Sequence, residues 1–156
     1  MAKKAPQPWT ATQERVGNVV IKWMSAANTR IYRLSGGRLG GRFPGGAPVL
    51  LLTTIGRKSG QPRVAPLLYL EDGDRVVVVA SKGGFAHSPL WFHNLQANPD
   101  CEVEIGAQKI AMRARPASAA EKQALWPKLV AMYSSYDEYQ ARTTRDIPVL
   151  ILTKRG

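Results

Sequence analysis

The chain has 156 residues, 44% of them hydrophobic, with a formal net charge of +11 and a pI near 10.2. That size and composition fit one compact domain and exclude a disordered chain, while the charge narrows partners to nucleic acid, an anionic membrane or a phosphorylated or carboxylated ligand. A lone cysteine, Cys101, excludes an internal disulfide and points to a reducing compartment, and it makes no metal site with two scattered histidines. Pro6 and Pro8 directly follow Lys3 and Lys4, so no signal peptide is expected, and no apolar run nears the ~20 residues that span a bilayer. The expected location is cytoplasmic.

Residues 1–9 form a polar, proline-containing tail. Thr10 and Gln13 have capping-box spacing and predict a helix start. Val16, Val19, Val20, Trp23, Met24, Ala27 and Ile31 then recur on one helical face, flanked by Arg15, Lys22, Arg30 and Arg33. Such a helix either packs on its own domain or lies peripherally on an anionic membrane, at the inner membrane face. Ser35 to Gly46 holds six glycines with Arg38 and Arg42, a composition for a linker or lid and for no regular element. These residues make 1–46 an N-terminal extension and 47–156 the main domain.

Strands follow. Val49–Ile55 and Val64–Leu70 read as a hairpin, and Asp72-Gly73 turns the chain into a third strand, Arg75–Ser81. Ser88 is the expected N-cap of a helix over Pro89–Ala97, which Asn98-Pro99 stops. Cys101–Ile105 and Lys109–Arg115 form a second hairpin. Ser118 and Glu121 cap a helix to about Met132, Tyr133 to Arg142 forms a short aromatic helix, and Ile147–Thr153 closes the chain as a strand. The fold class is mainly β with flanking helices. About six strands joined by short turns pair antiparallel and tend to close into a barrel.

Four clusters carry chemistry. No acidic residue lies between Glu14 and Glu71, where nine lysines and arginines fall. Arg57, Lys58 and Arg63 crowd the first hairpin tip between Gly56 and Gly60, suited to phosphate or carboxylate oxygens. Ser81-Lys82-Gly83-Gly84 ends a strand with residues small enough for a flat ligand to approach the backbone, and Lys82 adds charge. Tyr133, Tyr136 and Tyr139, three apart, put their phenols near one face, either as core or as the wall of a pocket. In the helix Pro89–Ala97, Trp91 and Leu95 face inward, Asn94 points at a ligand or caps a loop, and His93 lacks a partner that would make it catalytic. Few aromatics interleave the basic segment, so specific nucleic-acid recognition is not expected.

The segments Thr53–Arg63, Ala80–Gly84, Pro89-x-Trp91-x-x-Asn94-Leu95-x-Ala97-Asn98-Pro99, Trp126-Pro127 and Met132-Tyr133-x-x-Tyr136-x-x-Tyr139 together resemble the deazaflavin (F420)-dependent nitroreductase family, over about Pro48 to Thr153. The resemblance implies a split β-barrel of the FMN-binding, pyridoxamine-phosphate-oxidase-like type. It implies coenzyme F420 as hydride carrier, in preference to FMN, and a quinone-like or nitro-aromatic acceptor. By the resemblance, Arg57, Lys58, Arg63 and Lys82 hold the phosphate and oligoglutamate tail. Pro66 and the Val79–Ala80–Ser81 backbone, with Gly83, lie along the ring, and Trp91 and Asn94 shape the adjacent wall. Ser81, Tyr133 and Tyr136 are the expected donors to the acceptor, and Leu68 and Tyr139 line its pocket. Leu68 stands where the best-known nitroreductase of the family places a tyrosine, so quinone reduction is the expected general activity and nitro reduction incidental. A non-catalytic F420- or flavin-binding carrier is the alternative.

Overall fold

The computed structural model describes residues 4–155. Seven antiparallel strands form one sheet in the order β2-β1-β5-β6-β7-β4-β3. They are β1 (Val49–Ile55), β2 (Pro62–Leu68), β3 (Leu70–Asp72), β4 (Arg75–Val79), β5 (Asp100–Ile105), β6 (Gln108–Pro116) and β7 (Val149–Lys154). The helices are α1 (Ala11–Ser35), α2 (Leu90–Ala97), α3 (Ala119–Met132) and α4 (Ser135–Arg142).

The sheet's two outer strands, β2 and β3, are consecutive in sequence and separated only by Tyr69. The chain pairs with β1 up to Leu68, bends, and pairs with β4 from Leu70. The strand expected over Val64–Leu70 is therefore two strands, and the count is seven instead of about six. The physical reason is closure: a sheet curled this far brings its edges together, and one chain segment serves both by changing partner at a buried tyrosine. The expected strand Arg75–Ser81 likewise ends at Val79: the Ala80 amide makes a last bond to the Pro148 carbonyl just before β7, and Ser81 takes a right-handed conformation.

Three apolar clusters follow from the alternation of strand side chains. Leu50, Leu52, Tyr69, Val76, Val78, Trp91, Val103, Met112 and Leu152 fill the barrel. On the outside, Val77, Val79, Val149 and Ile151 pack under Leu125 and Leu129 of α3 and Tyr136 of α4. Val49 and Leu51 pack under Tyr32 of α1. Because β1 is covered on both faces, its sequence is apolar nearly throughout.

Both expected capping boxes form: the Thr10 hydroxyl accepts from the Gln13 amide while the Gln13 side chain accepts from the Thr10 amide, and Ser118 and Glu121 do the same. Ser88 is not the N-cap of α2. Pro89 holds that position, and the Ser88 hydroxyl accepts a hydrogen bond from Arg145.

α1 is fastened at its two ends. At its C-terminal end Tyr32 is buried, its hydroxyl donating to the Glu104 carbonyl at 3.1 Å and accepting from the Gly106 amide at 2.8 Å. Arg33 forks onto the Glu104 carboxylate at 3.1 and 2.8 Å. Near its N-terminal end Glu14 accepts from the Ala86 amide at 2.8 Å, and Gly17 lies against the Phe85 ring, where a Cβ would meet Cζ at 2.7 Å. Between these anchors Val16, Val19, Val20, Trp23 and Met24 stay exposed. Packing on the domain therefore holds for the helix ends and not for the apolar stripe. No helix among the described residues is long and apolar enough to cross a membrane.

Candidate active site on one rim of the barrel

Register places the cationic turn and the strand-end turn on one rim, while Leu68 pairs with Val49 at the far end of β1. Pairing joins Ile55 to Pro62, Thr53 to Glu102, Asp100 to Arg113, Pro116 to Leu150 and Val149 to Val79. The ends of β1, β4 and β6 therefore share one rim with the beginnings of β2, β5 and β7. That rim carries the Arg57–Lys58 turn, Arg63 and the Ser81–Gly84 turn.

The cationic turn is built from within. The Gly56 amide donates to the Gln61 carbonyl and the Gly60 amide to the Gly56 carbonyl, both at 2.8 Å. Asn94, buried on α2, accepts from the Arg57 amide at 3.1 Å and donates to the Thr54 hydroxyl at 3.0 Å. Its expected place at the site is thus behind the turn, pinning Arg57's backbone while the guanidinium stays outside. Arg57, Lys58 and Arg63 are exposed, and none pairs with a carboxylate among the described residues. Three like charges held together without a counter-ion favour an anionic ligand. Trp91 packs its ring in the barrel core, so it too supports the site from behind.

Pro66 and Leu68 lie on the same face of β2 as Val64, by strand alternation. Leu68 touches both outer clusters, that of Tyr32 and that of the tyrosines. It bridges the two. Tyr69 is buried inside the barrel and cannot stand in for a pocket phenol.

The tyrosine wall comes from the α3–α4 corner. Tyr133, the residue that ends α3, has its ring 5.1 Å from that of Tyr136 and 6.0 Å from that of Tyr139, in edge and tilted packing. The Tyr133 and Tyr139 hydroxyls are 2.9 Å apart. Burial pushes the Tyr136 phenol's pKa far up, and burial followed by the Tyr133 hydrogen bond does the same for Tyr139. Both keep their protons at neutral pH and act as hydrogen-bond donors or neutral walls. Tyr136 is also core, so the two readings of the tyrosine stripe hold together.

At the strand end, Ser81 is buried and Lys82 half-buried. Burial lowers the Lys82 pKa, with Glu14 opposing that shift and Arg145 adding to it. The backbone carbonyls of Ala80 and Ser81 both accept from Arg145.

Four contributors had no signal in the sequence. Phe43, in the glycine-rich segment, stacks edge-on against Tyr133 at 5.6 Å and ties that segment to the site. Trp9 donates from Nε1 to the Gly83 carbonyl at 2.7 Å and sits 4.4 Å from the Arg142 guanidinium. Glu14 and Arg145 are the others. Each acts over a separation of more than 50 residues, which local pattern does not encode.

The fold is shared with a pyridoxamine 5'-phosphate oxidase-like structure from Listeria innocua, 15% identical, which superposes with a TM-score of 0.50 over 69% of this chain and 84% of its own. The family model of F420H(2)-dependent quinone reductases matches residues 23–154, and the chain belongs to that family. It is 45% identical over 128 residues to the F420H(2)-dependent quinone reductase Rv1261c of Mycobacterium tuberculosis, covering 80% of this chain and 86% of the relative. A solved F420-H2 dependent reductase, FDR-A, is 40% identical, with a TM-score of 0.63 over 67% of this chain and 93% of its own.

Proposed function

We propose that this rim seats coenzyme F420 with its phosphate and glutamate tail on Arg57, Lys58 and Arg63 and its deazaflavin ring against the Ser81–Gly83 turn. Family membership makes the chain an F420H2-dependent oxidoreductase with a quinone as acceptor. The observation that carries the residue assignment is the uncompensated cationic turn on the same rim as the Ser81–Gly84 turn, which packs against α4 at Tyr139. When bound, reduced F420 supplies the hydride.

The chain's own residues supply position and polarity. Hydride transfer needs donor and acceptor carbons about 3–3.5 Å apart, so the protein's main contribution is to hold two flat molecules in register. Pro66 and Leu68 give an apolar floor, and Tyr139 walls the acceptor side. Charge develops on the acceptor oxygen, and the hydroxyls of Tyr133 and Tyr136, or that of Ser81, donate there. No strong base is needed. A nitro-aromatic is a secondary acceptor over the same floor.

Purified protein mixed separately with F420, FMN and NADPH should retain F420 and then oxidise F420H2 when menadione is added. Retention of FMN instead would overturn the cofactor assignment. Retention of F420 without acceptor-dependent oxidation would favour a carrier.

A second reading concerns α1. Trp23 is 71% and Met24 66% exposed, and Arg15, Lys22 and Arg30 flank the stripe. We propose that this face rests on an anionic bilayer, which would bring lipid-dissolved quinones to the enzyme. The protein should sediment with phosphatidylglycerol vesicles but not with phosphatidylcholine vesicles, and a Trp23→Ser, Met24→Ser variant should remain in the supernatant. Equal recovery of wild type and variant would sink the idea.

A further inference from the structure

We propose that Arg145 is a positioning residue: its guanidinium holds the Ser81–Gly83 turn in a shape that offers backbone amides to an oxygen at the ring end of the cofactor. This rests on the F420 reading above.

Arg145 lies between α4 and β7, and the partners of its guanidinium all fall between Ala80 and Ser88. Nε donates to the Phe85 carbonyl at 2.9 Å, Nη1 to the Ala80 carbonyl and the Ser88 hydroxyl at 3.2 Å each, and Nη2 to the Ala80 and Ser81 carbonyls at 3.2 and 2.8 Å. Every acceptor is neutral, and no carboxylate pairs with Arg145 among the described residues. Arginine suits the place because its rigid fork reaches several carbonyls at once and keeps its charge.

The backbone it holds is unusual. Ser81 is right-handed (φ −77°, ψ −39°), and Lys82, Gly83 and Gly84 follow at φ 43°, 62° and 78°. Lys82 is the one non-glycine residue with positive φ among the described residues, a conformation that persists only where its surroundings impose it. A right-handed residue followed by left-handed ones turns successive N–H groups toward one side and makes a concavity for a negative oxygen. Among the described residues, the Ser81, Lys82 and Gly83 amides donate no hydrogen bond within the protein. Three nearby carbonyls are taken instead: those of Ala80 and Ser81 by Arg145, and that of Gly83 by Trp9. The carbonyl side of the turn is capped and its amides are unpaired among the described residues. The guanidinium also leaves a net positive charge behind the turn.

The test uses Arg145→Gln and Arg145→Lys in the full chain, each checked by thermal melting and titrated with two ligands. One is F420, and the other is its ribityl deazaflavin core, which lacks phosphate and glutamates. Arg145→Gln should weaken both ligands by the same factor, about tenfold or more. Arg145→Lys should recover part of that loss for both, and carries the test alone if the glutamine variant does not fold. The Arg57→Ala, Lys58→Ala variant should lose affinity for F420 and keep it for the core. Loss of F420 affinity alone in the Arg145 variants would make the residue a charge for the tail and overturn the proposal. Unchanged binding of both ligands, or a wild-type protein that ignores the core, would overturn it too. A wild-type protein that binds no F420 at all would overturn the cofactor reading and this inference with it.

Discussion

Replacing Arg57 and Lys58 together by alanine should weaken F420 binding about 100-fold, read by fluorescence-quenching titration. Charge-assisted hydrogen bonds contribute about 1.5–3 kcal/mol each. Both side chains are exposed at the hairpin tip, so solvent screening argues for the low end of that range. Two such contacts then give about 3 kcal/mol, and each 1.4 kcal/mol is tenfold in affinity. Folding should be untouched. Neither side chain forms an ion pair among the described residues, and the turn is held by the Gly56 and Gly60 amides and by Asn94. The remaining affinity should depend less on salt than that of the wild type, because two of the charges that salt screens are gone. Unchanged affinity would remove the hairpin from the site.

Much of this arrangement was legible because it is written locally. The cationic turn is a contiguous run, the capping boxes span four residues, and the tyrosines recur at helical spacing. The antiparallel barrel followed from short turns between apolar runs. Tyr69 shows where legibility stops. It sits inside the unbroken apolar run Val64–Leu70, and no local feature marks it as the point where the chain changes partner from β1 to β4. That change is a property of the closed sheet. Ser88 is similar: it has the residue type and position of an N-cap, yet its hydroxyl serves Arg145, more than 50 residues away. Trp9, Glu14 and Arg145 converge on the segment Gly83–Ser88 from both ends of the chain. The Ser81–Gly84 motif was visible, but the clamp that gives it a defined shape was not.

Gly84→Ala should be the most disruptive single substitution at the site. Gly84 has φ 78°, where an L-residue costs about 1–2 kcal/mol. A Cβ there would also lie 2.7 Å from the Tyr139 carbonyl oxygen, 3.0 Å from the Tyr139 Cα and 3.2 Å from the Arg142 Cβ. The first two are backbone atoms of α4, so relief requires moving the helix and with it the Tyr133–Tyr139 hydrogen bond. Overpacking of this kind adds roughly 1–3 kcal/mol. A combined loss near 3 kcal/mol corresponds to a fall of roughly 6–12 °C in melting temperature for a chain of this length. Gly83→Ala is the control. Its φ is 62°, but its Cβ would meet only the Phe85 ring, at 3.9 Å, so it bears the backbone strain without the clash. Gly84→Ala should therefore melt well below Gly83→Ala and should reduce kcat with menadione more than Gly83→Ala does, because the phenol wall shifts only in the former. Equal melting temperatures for the two variants would mean that α4 does not press on this turn in solution. The tyrosine wall and the strand-end turn would then have to be treated as independent parts of the site.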